Sequence, residues 1–102
     1  MNEQSLKGIL GLSVRAGQAA FGEDTCRRLL LSGKGGLLLL DGDASGNTRK
    51  RIGELCGRTE TALAILPAGM ICAATGRDNM VMALKKGAFA ERAQAVLAPE
   101  TK

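Results

Sequence analysis

Chemistry near neutral pH needs side chains that change charge or hold a metal, and this chain is sparing with both. It contains no His, Tyr or Trp, so the usual general base is missing and proton transfer would fall to perturbed Asp, Glu, Lys or Cys. Cys26, Cys56 and Cys72 are odd in number, far apart and without Cys-x-x-Cys spacing. They read as reduced thiols that behave as small, mostly buried hydrophobes. Asp41 and Asp43 flank Gly42; two carboxylates around one glycine suit a surface turn, and nothing else in the pattern completes a magnesium site. The expectation is a chain that is not an enzyme and takes neither metal nor cofactor.

Groups that recognise anions are the remaining candidates. Ser32-Gly33-Lys34-Gly35-Gly36 invites comparison with a phosphate loop, but that loop needs glycine five residues before the Gly-Lys pair and Ser or Thr after the lysine. Those places hold Arg28 and Gly35, so the segment reads as the turn that ends a helix. Gly42 to Thr48 is better placed, since it follows a strand and opens a helix, where backbone amides and the helix dipole favour anions. It lacks a dinucleotide fingerprint, so ordinary capping is the simpler reading, with Arg49 available for a phosphate contact. Arg27, Arg28 and Lys34 bracket one predicted helix, while Arg49, Lys50 and Arg51 fan over a turn of another. Lys and Arg outnumber Asp and Glu by 14 to 10, a formal charge of +4, which suits a polyanionic partner where the basic residues gather on one side. Only Phe21 and Phe89 could stack on bases, so a bound RNA is expected to be recognised as a folded shape.

The elements that must position these residues follow from hydrophobic period and punctuation. Leu6, Ile9, Leu10, Leu12 and Val14 recur at near-helical spacing, predicting a first helix from Gln4 to Ala16 with Ser5 as N-cap and Gly17 as the stop. A brief strand at Ala19 to Phe21 leads to a second helix, which opens on Glu23 and Asp24, runs to about Ser32 and stops at Gly33. Leu37 to Leu40 is a continuous apolar run, as expected of a central strand buried on both faces. A third helix with the apolar side Ile52, Leu55 and Cys56 ends at Gly57, and a buried strand follows at Ala62 to Leu66. A short helix at about Met70 to Thr75, the turn Gly76-Arg77-Asp78-Asn79, a strand at Met80 to Leu84 and a helix at Ala88 to Leu97 complete the chain. Helices alternating with short strands predict a three-layer α/β/α sandwich around a sheet with parallel pairings. One domain spans residues 1 to 98, with a short flexible tail at 99 to 102. The first residues carry Glu3, Gln4 and Lys7, and no apolar run approaches the roughly 20 residues of a membrane span, which points to the cytoplasm.

In this order the residues resemble a known family. Leu12-Ser13-Val14-Arg15-Ala16-Gly17-Gln18, then Gly22-Glu23, then Asp41-Gly42-Asp43-Ala44-Ser45-Gly46-Asn47-Thr48-Arg49-Lys50, and late in the chain Lys85-Lys86-Gly87-Ala88-Phe89-Ala90, are similar to the bacterial YlxQ proteins. The resemblance covers nearly the whole chain. That family belongs to the superfamily of ribosomal proteins that includes the archaeal and eukaryotic kink-turn binders. It implies a four-stranded mixed sheet between helices, no enzyme activity, and binding of structured RNA connected with ribosomes or translation. The expected partners are structured RNA, ribosomal RNA above all, and the ribosome or translation factors, met by a monomer.

The same resemblance places the RNA at the start of the second helix, where the superfamily carries Gly-x-Asn-Glu-x-x-Lys, and at the loop before the last strand. Aligned on Gly22 and Gly33, Asp24 stands for the Asn, Thr25 for the Glu and Arg28 for the Lys. Asp24 accepts hydrogen bonds but cannot donate as an amide does, and Thr25 is shorter and uncharged. The expectation is a retained binding face with a different RNA target. Arg28, Lys34, Arg49 and Arg77 would meet phosphates; Gly22, Glu23, Asp24, Thr25 and Asn79 would meet base edges or sugars. A protein-interaction module on the same fold, its basic residues merely solvated, is the alternative from another class.

Overall fold

Four consecutive leucines, Leu37 to Leu40, point alternately to the two faces of a strand, so a helical layer must cover each face. The computed structural model describes residues 2–98; Met1 and the expected tail at 99 to 102 lie outside the described residues. The elements are α1 (Glu3–Arg15), β1 (Ala19–Phe21), α2 (Glu23–Leu31), β2 (Gly35–Asp41), α3 (Gly46–Thr59), β3 (Ala62–Leu66), α4 (Met70–Thr75), β4 (Val81–Lys85) and α5 (Ala88–Leu97). The sheet runs β1-β4-β2-β3. β4 is antiparallel to β1 and to β2, while β2 and β3 are parallel. This is the expected α/β/α sandwich with a four-stranded mixed sheet.

Leu37 and Leu39, with Met82 and Leu84 of β4, pack under α1, α4 and α5. Leu38 and Leu40, with Val81 and Ala83, pack under α2 and α3. All four leucines of β2 are 2 % exposed or less, and each contributes about 1.5–3 kcal/mol relative to leaving it in water.

Four details depart from expectation. Asn2, not Ser5, caps α1: its side-chain oxygen accepts the Ser5 amide at 3.1 Å. Gly57 does not end α3, which continues to Thr59 and stops where Glu60 turns left-handed at φ 54°. The closing bonds, Thr61 N–H to Cys56 C=O and Glu60 N–H to Gly57 C=O, form the same motif that glycine builds at Gly17 and Gly33; no glycine marks it here. β3 is an edge strand and is buried only at Leu66, with Leu63 37 % and Ile65 51 % exposed. Cys72 is exposed, whereas Cys26 and Cys56 are buried.

Asp41 closes the structure at the end of β2. It is 4 % exposed, and one carboxylate oxygen accepts the Asp43 amide at 2.7 Å while the other accepts the Gly69 amide at 3.0 Å. Its own N–H donates to Met80 C=O at 2.8 Å, and its C=O accepts the Ala44 amide at 3.0 Å. Both carboxylate oxygens therefore serve as a loop clamp. Beside it, a Cβ on Gly42 would lie 2.8 Å from the Leu66 carbonyl oxygen, so only glycine allows these loops to approach.

Two outcomes follow. Asp41→Asn leaves one oxygen where two amides now bond, and is expected to destabilise the fold by about 1.5–3 kcal/mol, read as a lowered urea midpoint by circular dichroism; an unchanged midpoint would show that the clamp is dispensable. Burial pushes the Cys26 thiol up to about 12 and raises that of Cys56. A thiol reagent at about pH 8 should therefore modify Cys72 alone in the folded protein and all three cysteines in denaturant.

Candidate nucleic-acid interface

The strand directions bring four connections to one end of the sheet. There β1 passes through Gly22 into α2, β2 through the Gly42 to Ser45 loop into α3, β3 through Pro67 to Gly69 into α4, and the Gly76 to Met80 loop enters β4. The Asp41 clamp ties three of these together. Gly22 takes φ 91°, a conformation open to glycine, and its N–H donates to Val81 C=O at 3.0 Å, which fixes the start of α2 against β4. Ser45 caps α3, its hydroxyl accepting the Thr48 amide at 3.1 Å, as capping chemistry predicts.

Of the residues expected to meet RNA, Gly22, Glu23, Asp24, Thr25, Arg49, Arg77 and Asn79 lie at this end. Their states differ. Asp24, Thr25 and Arg77 are exposed, and Asn79 is half-buried in its loop. The Arg49 guanidinium donates to Gly42 C=O at 2.6 Å, so it braces the loop it was expected to serve. Glu23 is gripped by Arg51 through two hydrogen bonds, 2.7 and 3.0 Å, joining the first turns of α2 and α3. The Arg51 hydrogen bond holds the Glu23 carboxyl below its ordinary range, with the charges of Arg51 and Arg27 acting in the same direction; Arg51 is raised by the same contact. Both carboxylate oxygens are thus occupied, and Glu23 serves as a strut.

Lys34 does not join the group. It follows α2 at the opposite end of the sheet, where its C=O accepts the Lys86 amide at 2.9 Å. Nine residues of helix carry the chain from Gly22 to that end, so spacing in sequence separated two cations that looked like neighbours.

Arg28, one turn into α2, points into a groove of about 610 Å³ that runs beside β1. Phe21, Thr25, Arg77 and Lys85 line the same groove, and among the described residues no carboxylate does. Arg77 lies over the Phe21 ring, its guanidinium carbon 4.4 Å from the ring centroid, a cation–π contact that steadies a long side chain on a loop. Sequence reasoning missed three members of this face. Lys85 was visible only as part of the Lys85-Lys86-Gly87 turn, and the pairing of Ala19 with Leu84 brings it to the start of β1. Phe21 was weighed only as a stacking surface for bases. Met80, read as a strand residue, is 44 % exposed in the loop before β4.

Comparison with known proteins adds the fold and no function. No protein-family model matches the sequence, and no curated protein does. A solved structure of a protein with unknown function from Bacillus halodurans C superposes with a TM-score of 0.85 over 90% of this chain and 95% of that chain, at 26% sequence identity. Among the described residues, no helix is long and apolar enough to cross a membrane and no cluster of three His, Cys, Asp or Glu is placed to hold a metal.

The Glu23–Arg51 strut has a pH signature. Because the folded-state pKa of Glu23 is depressed, its contribution is complete above the ordinary glutamate range, about pH 4.3, and is lost as pH falls below it. Glu23→Gln should therefore lower the melting temperature at neutral pH, with the gap from the parent protein closing as pH falls below the ordinary glutamate range. A gap that stays constant across that window would remove the ion pair as its cause.

Proposed function

We propose that this protein is a non-enzymatic binder of structured RNA, ribosomal or otherwise tied to translation, acting in the cytoplasm as a monomer. The observation that carries the reading is the groove beside β1, where Arg28, Arg77 and Lys85 converge without a carboxylate among the described residues, at the margin of a face built from four loop connections. Cations held on a helix, a strand end and a steadied loop suit phosphates at fixed positions, and such contacts set register and orientation on an RNA. The resemblance to YlxQ proteins supports the same face. Its substituted motif, Asp24 and Thr25 for Asn and Glu, supports a target other than a standard kink-turn. The thiols whose titration moves go away from neutrality, Cys26 to about 12, which is the opposite of what a nucleophile requires.

Exposure of Leu63 and Ile65 on the edge strand β3 favours a second reading, a protein-interaction module on the same fold.

The test is fluorescence anisotropy with a kink-turn hairpin, a variant whose G·A pairs are replaced by Watson–Crick pairs, and a pool of ribosomal RNA fragments, across a range of salt. Binding to the pool with little preference between the two hairpins is expected. Arg28→Ala and Arg77→Ala should each weaken binding and lower the slope of log affinity against log salt by about one unit or slightly less. Slopes unchanged in both variants would sink the assignment of these residues, and no binding at low salt would leave the protein-interaction reading in front.

A further inference from the structure

Lys34, set apart from the loop face, has cations of its own beside it. Its C=O accepts the Lys86 amide at 2.9 Å, Gln18 C=O accepts the Lys85 amide at 2.9 Å, and Gly35 stands opposite Lys85 across the ladder. Three exposed lysines from two remote stretches of sequence therefore meet at the end of the sheet away from the loops. Helix ends explain only part of this. Lys34 follows the last carbonyls of α2, where a cation complements the helix dipole. Lys85 and Lys86 instead stand before α5, whose start is the positive end of its dipole and carries no side-chain cap. Glu60 and Glu91 share a shallow concavity with Lys86 and border the group, yet among the described residues the one ion pair is Arg51 with Glu23. Like charges gathered beside a positive helix end repel one another, and a polyanion relieves that repulsion.

We infer that Lys34, Lys85 and Lys86 form a second phosphate-binding surface, which holds a further stretch of the bound RNA's backbone at the end of the sheet opposite the loops. The inference rests on the RNA-binding reading and adds a second point of grip. The groove beside β1 supplies the route, since its lining includes Arg77 from the loop before β4 and Lys85 from this far end. The seven residues of β2, at about 3.3 Å each, hold the two ends of the sheet about 20 Å apart. That is more than twice the range of about 8 Å over which exposed charges act on one another at physiological salt. The far lysines therefore add nothing to an RNA that touches only the loops, and act only where the RNA is long enough to reach them. Lysine suits this duty, because a flexible stem ending in a point charge meets a phosphate without demanding a fixed geometry. The surface adds affinity and orientation while carrying no sequence information. An acidic protein segment offers the same charge, but a groove continuing from the loop face to Lys85 favours one chain that bears phosphates at regular intervals along its length.

The experiment compares ribosomal RNA cut to short hairpins, their stems shorter than the sheet, with long fragments of the same RNA that carry several joined helices. Binding to the full chain is followed by anisotropy across salt. Lys34→Ala and Lys86→Ala are made together, which leaves Lys85 and the groove intact. The double variant should keep the parent's affinity and salt slope on the short hairpins. On the long fragments it should lose about tenfold in affinity at physiological salt and nearly two units of slope, about one or slightly less for each phosphate contact removed. Lys34→Arg with Lys86→Arg, which keeps both charges, should restore the parent's values. An iron chelate tethered at Ser32→Cys in a Cys72→Ser background, with Cys26 and Cys56 buried, should cleave the long fragments at a segment distinct from the one cut by a chelate at Asp78→Cys. A parental slope for the double variant on long fragments, or an equal loss on both RNAs, overturns the inference and leaves the RNA-binding reading standing. Failure of the parent chain to bind either RNA at low salt overturns both, and polyglutamate binding lost in the double variant would then mark an acidic protein as the partner.

Discussion

Burial of one strand on both faces governs the architecture. Leu37 to Leu40 are within 2 % of complete burial, and because consecutive side chains point to opposite faces, neither layer of helices can be removed without exposing two leucines. With β2 in the interior, its neighbours β4 and β3 take the flanking places and β1 is carried to the outside by pairing with β4. The open backbone edge beside α2 is a consequence of that order. So is the thin cover over β3, which leaves Leu63 and Ile65 at the other margin of the sheet.

The strand that organises the core also organises the candidate face, because its last residue is Asp41. A buried carboxylate with both oxygens hydrogen-bonded to backbone amides is a stronger acceptor than a neutral group, and here those amides belong to separate connections, at Asp43 and Gly69. The loop entering β4 is held through Met80 C=O. The loops that would meet a ligand are thus fixed to the best-buried part of the sheet, which lowers the ordering needed on binding. Arg49 on Gly42 C=O and Arg51 on Glu23 extend the same bracing across the first turns of α2 and α3.

Legibility in the sequence followed the range of the interaction. Strands and helices defined by period and glycine were readable: Ala88–Leu97 begins and ends where expected, and Gly17 and Gly33 close α1 and α2 at positive φ. The end of α3 was not, since Glu60 occupies a left-handed position usually marked by glycine or asparagine. The exposure of β3 was hidden because Ala62–Leu66 is as apolar as a central strand, and strand order, which places it at the edge, is a non-local property. Within the candidate site the local cluster Gly22 to Thr25 was legible as the start of α2. The partners of its members were not, because the Arg51 to Glu23 and Arg77 to Phe21 contacts join residues 28 and 56 positions apart. Lys34 failed for the converse reason: closeness in sequence to Arg28 is undone by a helix that points the chain to the far end.

These pairings change what the net charge of +4 means. Two of the three arginine and lysine residues that begin α3 in the sequence run Arg49-Lys50-Arg51 are engaged inside the protein, and Glu23 is neutralised by one of them. The run that looked most like a polyanion site therefore contributes mainly to bracing. Arg28, Arg77 and Lys85, dispersed in sequence, are the cations that meet in one concavity. A surface that attracted polyanions by charge density alone would be indifferent to which cations remained unengaged. Here Arg28, Arg77 and Lys85 line the outer strand from a helix, a loop and a strand end, an arrangement that would suit a folded shape more than charge density alone.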